Sequence, residues 1–174
     1  TSTVTPTYQE NYTYTSKSLV GSKSVLVGGN TYITSTTFDS FGRPYELTYP
    51  SYGAIAGIVV RHHYSNGGLF KLTDTANNPY QEFKTLDNRG SVSSVAYGNG
   101  TLLTTTTQTD TGWVNNLSLT KGITNLQSVA LTFDQVGNIQ TRAISFGVGS
   151  VANMSETFTY DNLHRVLSRT VNTA

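Results

Sequence analysis

The chain contains no cysteine, which excludes disulfides and thiolate metal ligands and leaves stability to packing and strand pairing. Charge is scarce: Asp, Glu, Lys and Arg make up 12% of 174 residues, and the net charge is +1. Lys and Arg are scattered singly, so nothing resembles a nucleic-acid footprint and no nucleic-acid partner is expected. Long apolar runs are missing. The longest, AIAGIVV (54–60), is far too short to cross a bilayer and reads as a buried strand, so this segment is not expected to insert into a membrane. Runs rich in Ala, Leu, Glu and Lys, which would form helices, are also missing. There is no secretory signal and no initial Met. The chain opens TSTVTPTYQEN and ends SRTVNTA, neither of which has the look of a cap, and it reads as a segment of a longer polypeptide or a processed form of one.

What remains is rich in Thr and aromatic residues. Tyr occurs 11 times and Phe 7 times. Thr, Val, Ile, Tyr and Phe fit a pleated surface, so the composition points to an all-β protein. Short stretches alternate apolar residues with Thr, as in ALTFD (130–134) and ETFTYD (156–161), and RPYELTY (43–49) places Tyr45, Leu47 and Tyr49 on one face. These are the period-two patterns of half-buried strands.

The stretches recur. With Asp39 of TFDSFG as anchor, matches follow at Ser65 (HYSNGG), Asp87 (TLDNRG), Asp110 (QTDTGW), Asp134 (TFDQVG) and Asp161 (TYDNLH), in steps of 22 to 27 residues. A large apolar residue precedes the anchor at Phe38, Tyr64, Leu86, Phe133 and Tyr160. Gly stands three residues after it at Gly42, Gly68, Gly90 and Gly137. A further decayed unit starts near TYTSKS (13–18). The Asp suits the first position of a type I turn, where its carboxylate bonds the backbone two residues on, and Gly suits the positive φ that turns the chain back. Each unit is therefore read as strand, tight turn, strand. The structural turn residues are Asp39, Gly42, Gly68, Asp87, Gly90, Asp134, Gly137 and Asp161.

Residues 38–44 (FDSFGRP), 86–92 (LDNRGSV), 133–139 (FDQVGNI) and 160–166 (YDNLHRV) carry a resemblance to the YD-repeat, or RHS-repeat, proteins, whose unit has the form Tyr-Asp-x-x-Gly-Arg-Leu. It spans residues 36–172. Tyr is often replaced by Phe or Leu, His164 replaces Gly in the last unit, and the unit at Asp110 keeps little beyond its Asp. The resemblance implies a curved, meandering strip of antiparallel sheet that is a segment of a hollow β-shell. Residues 1–35 would be an N-terminal β segment or a degenerate repeat, and 36–174 the repeat region. In bacterial members such a shell encloses a toxic C-terminal domain; in the related animal teneurins it serves adhesion. The Asp-rich self-cleavage segment that often closes the bacterial shells is not found, so the segment would be wall rather than lid.

Little chemistry competes with that reading. The anchor aspartates are explained by turns, and the few other carboxylates are scattered, which leaves no obvious acid–base pair. Adjacent His62 and His63 would point to opposite faces of a strand and could not easily share a metal. GVGS (147–150) lacks the Lys and helix of a phosphate loop, and Gly-X-Ser-X-Gly is absent. Trp113 reads as a packing residue. TTTT (104–107) reads as an exposed strand face. Asn11, Asn99, Asn116 and Asn153 begin sequons that matter only in a glycosylating secretory pathway.

The expectation is therefore a non-enzymatic structural segment of a secreted or injected toxin-type protein, with no catalytic, metal or cofactor site. The alternative is an extracellular cell-surface adhesion or carbohydrate-binding module. Its partners would be the rest of the same polypeptide or another shell component, with an enclosed toxin domain as cargo. Open sheet edges would favour edge-to-edge self-association.

Overall fold

The computed structural model describes residues 8–149 and 151–173. The N-terminal TSTVTPT, Ser150 of GVGS and the final Ala174 lie outside the described residues. The described chain contains fourteen strands and no helix. They are β1 (Tyr8–Tyr14), β2 (Val20–Val27), β3 (Asn30–Phe38), β4 (Pro44–Thr48), β5 (Val59–Ser65), β6 (Gly68–Thr73), β7 (Pro79–Leu86), β8 (Val92–Tyr97), β9 (Thr101–Thr107), β10 (Val114–Lys121), β11 (Thr124–Phe133), β12 (Ile139–Phe146), β13 (Met154–Tyr160) and β14 (Val166–Thr173). They form one open antiparallel sheet whose strand order is the sequence order, a pure meander. The chain divides into two units, Thr1–Tyr80 and Gln81–Ala174.

In the second unit the register sorts side chains by size. One row runs Leu117, Val129, Ile144, Met154 across β10 to β13, and a neighbouring row on the same face pairs Val95, Leu103 and Leu119. The opposite face carries Ser94, Thr104, Ser118, Ser128 and Ser145 in one row, and Thr106, Asn116, Ala130, Ala143 and Ser155 in the next. Strict alternation along each strand thus becomes a sheet with large apolar residues on one face and small polar ones on the other. The TTTT run is split by the same rule: Thr104 and Thr106 lie on the polar face, Thr105 opposite Leu117 on the apolar one.

The first unit is less cleanly divided. Tyr8, Glu10, Tyr12 and Tyr14 share a face of β1, with Val25 and Tyr32 beside Glu10 on β2 and β3. Ile33 sits among Ser24 and Asn11 on the other face.

Among the described residues no apolar side chain is buried; the only buried residues are Thr73 and Glu156. The sheet is a single layer. An ordinary domain covers an apolar sheet face with a second layer, because burial of that face is the main favourable term in folding. Here that layer is not supplied by the described chain.

Candidate functional site

The recurring local structure is the turn that follows an odd-numbered strand. At Asp39 the backbone N–H donates to the Arg43 carbonyl at 2.9 Å, and the Gly42 N–H donates to the Asp39 carbonyl at 3.0 Å. One carboxylate oxygen accepts from the Phe41 and Arg43 N–H groups, each at 2.9 Å, and the other accepts from the Arg43 side chain at 2.8 Å. Gly42 has φ +79°. Every acceptor site of the carboxylate that faces the loop is used, which is why Asp serves here and a longer Glu would not.

The same bonds recur. Asp87 accepts from the N–H groups of Arg89 and Ser91, Asp134 from Val136 and Asn138, and Asp161 from Leu163 and Arg165. Gly90 and Gly137 are left-handed at φ +79° and +93°, and His164 takes the same place at +61°. The decayed unit near residue 15 is of this type: Thr15 Oγ1 accepts from Lys17 and Leu19 N–H, and Ser18 is left-handed at φ +59°.

Two expected anchors are placed differently. Ser65 and Gly68 are a paired position of β5 and β6, and the turn itself is Asn66–Gly67, at φ +49° and +82°. Gly68 is therefore a strand residue. A two-residue Asn-Gly turn twists with the strands and needs no Asp. Asp110 is not an anchor either. Gln108 closes that loop, donating to the Trp113 carbonyl and accepting from Gly112, one residue longer than the others. Asp74, left out of the repeat, builds the Asp turn in full: Ala76 and Asn78 N–H groups donate to Oδ1, the Asn78 amide to Oδ2, and Asn77 is left-handed.

Each hairpin closed by a turn after an odd strand carries a bulge. Thr37 pairs with Glu46 but Phe38 pairs with Pro44, so Tyr45 is the extra residue; the same shift occurs between Thr13 and Tyr14, His63 and Tyr64, Thr132 and Phe133, and Thr159 and Tyr160. The residue two before the anchor makes a hydroxyl pair across the hairpin in several units: Thr13–Ser22 at 2.7 Å, Thr85–Ser94 at 2.7 Å, Thr132–Thr141 at 2.6 Å and Thr159–Ser168 at 2.6 Å.

Successive turns also touch. In the first unit Lys17 Nζ donates to the Ser40 carbonyl at 3.1 Å, the Arg43 guanidinium lies 4.1 Å from the Tyr64 ring centroid, and the Tyr64 hydroxyl donates to the Pro44 carbonyl at 2.9 Å. In the second unit Arg89 donates to the carbonyls of Gln108, Thr109 and Asp110. Trp113 then packs on Phe133 with ring centroids 5.2 Å apart, Asn138 meets His164 at 3.0 Å, and the Tyr160 hydroxyl donates to the Ile139 carbonyl at 2.8 Å. Trp113 is therefore a packing residue between turns.

The carboxylates off the turns are held in ion pairs. Glu156, 1% exposed, accepts from Arg142 on β12 and from Arg169 on β14, and Arg142 first, then Arg169, hold it below the usual carboxylate range despite its burial. Lys23, Tyr8 and Tyr12 all bond Glu10 and bring it to about 2. Glu46 pairs with Arg61 at 2.6 Å. Among the turns, donors from Ser91 and Arg89 lower Asp87, and partial burial of Asp39 is outweighed by donors from Arg43 and Phe41. Donors favour the ionised form of Glu156, Glu10, Asp87 and Asp39, the reverse of what a general acid needs.

His62 and His63 do point to opposite faces. His63 bonds Thr73 Oγ1 at 2.8 Å and meets Phe70 edge-on, and desolvation lowers its pKa. Among the described residues no three His, Asp or Glu side chains come together as metal ligands. The apolar rows of β8 to β11 line a shallow open trough walled by Tyr97, Leu103, Leu117, Leu119 and Val129. The distinctive surfaces are thus the linked turns, the uncovered apolar face and the two outer strands.

No family model and no curated protein matches the chain. Solved structures do. The chain is similar to a chain in the crystal structure of TcdB2–TccC3–Cdc42, with TM-score 0.74 and 18% identity over 90% of this chain and 9% of that one. It is likewise similar to a chain in TcdB2–TccC3–TEV, with TM-score 0.68 and 19% identity over the same shares. The likeness is one of fold, and the present chain spans about a tenth of those chains' length.

Proposed function

We propose that this chain is a wall segment of a toxin-type β-shell that encloses a toxic C-terminal domain, and that its role is structural rather than catalytic. The observation that carries the reading is the single-layer sheet: no apolar side chain is buried among the described residues, yet one face of the second unit is ordered into apolar rows. Such a face needs further protein over it, as a shell wall has. The fold likeness to TcdB2–TccC3 chains supports the toxin-type setting. The carboxylates held ionised by their donors support a structural role. On this reading the mature protein acts outside the cell that makes it, secreted or at the cell surface.

The test is limited proteolysis of the whole polypeptide that carries this segment. The domain after the repeats is expected to resist protease while the wall is intact, and to be cut once Gly137→Val opens a turn. A downstream domain digested at the same rate with and without an intact wall, or the lack of such a domain, overturns the encapsulation reading.

A further inference from the structure

Among the described residues five turns are headed by an Asp whose Oδ1 accepts two backbone N–H groups. In four of them the other oxygen takes a side-chain N–H from the fifth residue. Arg43 and Arg165 donate to Oδ2 of Asp39 and Asp161, and Asn78 and Asn138 to Oδ2 of Asp74 and Asp134, at 2.7–2.8 Å. Asp87 is the exception. Its fifth residue is Ser91, whose backbone N–H donates to Oδ1 at 2.9 Å and whose side chain is too short to return to Oδ2. Oδ2 meets only the Thr107 hydroxyl, at 3.5 Å, beyond the range of a good hydrogen bond.

Asp87, Asn88, Arg89, Thr107 and Thr109 line an open cavity of about 270 Å³ beside that carboxylate. Arg89 is turned away from Oδ2. Its guanidinium donates to the carbonyls of Gln108, Thr109 and Asp110, and it lies so close to Gly112 that a Cβ there would stand 2.5 Å from it. Asp87, Arg89 and Asp110 together leave one net negative charge in this neighbourhood. A half-buried carboxylate oxygen without a close donor bears a desolvation cost that nothing offsets. The sister turns show what offsets it: a planar N–H donor, twice a guanidinium. We propose that the cavity is a binding site for a guanidinium group, presented by an arginine side chain of a partner polypeptide, with Asp87 Oδ2 and Thr107 Oγ1 as its acceptors. Two oxygens 3.5 Å apart suit the rigid fork of a guanidinium better than the point charge of an ammonium. The bound group repeats what Arg43 and Arg165 do at their own turns, with the arginine arriving from another molecule instead of the fifth position. The site needs only this turn and the strand beside it, so it stands apart from the wall reading.

The experiment titrates the isotope-labelled 174-residue chain with N-acetylarginine amide at constant ionic strength and follows the backbone amide resonances. Saturable shifts are expected at Asn88, Thr107 and Thr109, with none at the Asp39 and Asp161 turns, whose Oδ2 is taken by their own arginines. N-acetyllysine amide is expected to bind several-fold more weakly. Ser91→Asn supplies the carboxamide that Asn78 and Asn138 supply at their turns. It is expected to raise the denaturant midpoint and to weaken binding of the arginine amide by about fivefold or more. Thr107→Val, which removes the second acceptor, is expected to weaken binding without that gain in stability. The proposal is overturned by the lack of a saturable shift, by equal shifts at the other Asp turns, by equal binding of the lysine amide, or by unchanged affinity in the folded Ser91→Asn chain.

Discussion

Asp39 and Asp74 build the same turn with the same set of bonds, yet only Asp39 belongs to the repeat. The first follows an odd-numbered strand and the second an even-numbered one. The odd turns at Thr15, Asp39, Asp87, Asp134 and Asp161 share one design, and within each unit odd turns touch their neighbours through Lys17, Arg43, Arg89, Trp113 and Asn138. The turns after even strands follow no single plan. Gly28–Gly29 and Gly122–Ile123 are two-residue loops, 98–100 has three residues, and 49–58 is a long connection with its own bridge between Tyr52 and Ile55. The repeat is therefore written in the sequence where turns contact turns. Elsewhere, any connection that brings the strand back has sufficed.

The largest single effect should come at Gly137. Its φ is +93°, and a Cβ there would lie 2.8 Å from the Trp113 ring. Gly137→Val therefore meets both a strained backbone and a ring within clash distance, and should cost on the order of 3 kcal/mol. Gly42, with similar φ but nothing nearer than Leu19 at 3.7 Å, should lose less on the same change. Ile123→Thr, in a fully exposed even loop, should stay within about 0.5 kcal/mol. Denaturant midpoints give the order, and equal midpoints for all three would erase the distinction between the two sets of turns.

Next in size is the response to acid. The anchor carboxyls have lowered pKa values in the fold: Ser91 and Arg89 donate to Asp87, Arg165 and Leu163 to Asp161, and Asn138, against partial burial, to Asp134. A carboxyl lowered by folding contributes stability above its unfolded value near 4, and that stability is lost as pH falls through the folded value. Asp134→Asn should thus lower the denaturant midpoint clearly at pH 7 and far less at pH 2.5. Asp74→Asn should do the same. The comparison is sharpened by hydrogen exchange: Asp134→Asn should also speed exchange at the Asp161 turn, which it touches through Asn138 and His164, whereas the effect of Asp74→Asn should stay local. Equal spread from both would show that the contacts between turns carry no coupling.

The period was legible in the sequence because Asp, the residue before it and Gly recur at the odd turns. Its errors have physical causes. Asp74 escapes the period because it follows an even strand, out of phase, and Asn77 stands left-handed where the turns at Asp39, Asp87 and Asp134 have Gly. Asp110 matches the period by its letter alone, while the loop closes on Gln108 and is one residue longer. Gly68 was displaced because a two-residue turn puts the left-handed pair one step earlier. The hydroxyl pairs and the aromatic contacts between repeats depend on strand register and on where each bulge falls. No local pattern states these. A signal was nonetheless present in the Thr that recurs two residues before the anchor, at Thr13, Thr37, Thr85, Thr132 and Thr159.

Those threonines provide a smaller test. Thr132 and Thr141 share a hydrogen bond on the polar face. A double-mutant cycle with Thr132→Val and Thr141→Val should give a coupling of about 0.5 kcal/mol, the usual size for a cross-strand pair. The same cycle on Thr104 and Ser118, which lie opposite one another without a hydroxyl–hydroxyl bond among the described residues, should give less.

The smallest expected change is the most informative about the odd turns. His164 holds the place of Gly at φ +61°, which costs a non-glycine residue about 1 kcal/mol. Gly there would relieve that strain. It would also add freedom to the unfolded chain, worth about 0.4–1 kcal/mol, and remove the 3.0 Å contact with Asn138. These terms oppose, so His164→Gly should shift stability by less than about 0.5 kcal/mol. In an Asn138→Ala background the contact is already gone, and the same substitution should become stabilising relative to that background. If His164→Gly instead stabilises the unaltered chain by as much as it does the Asn138→Ala chain, the contact between these two turns contributes nothing. The odd turns would then resemble one another without supporting one another.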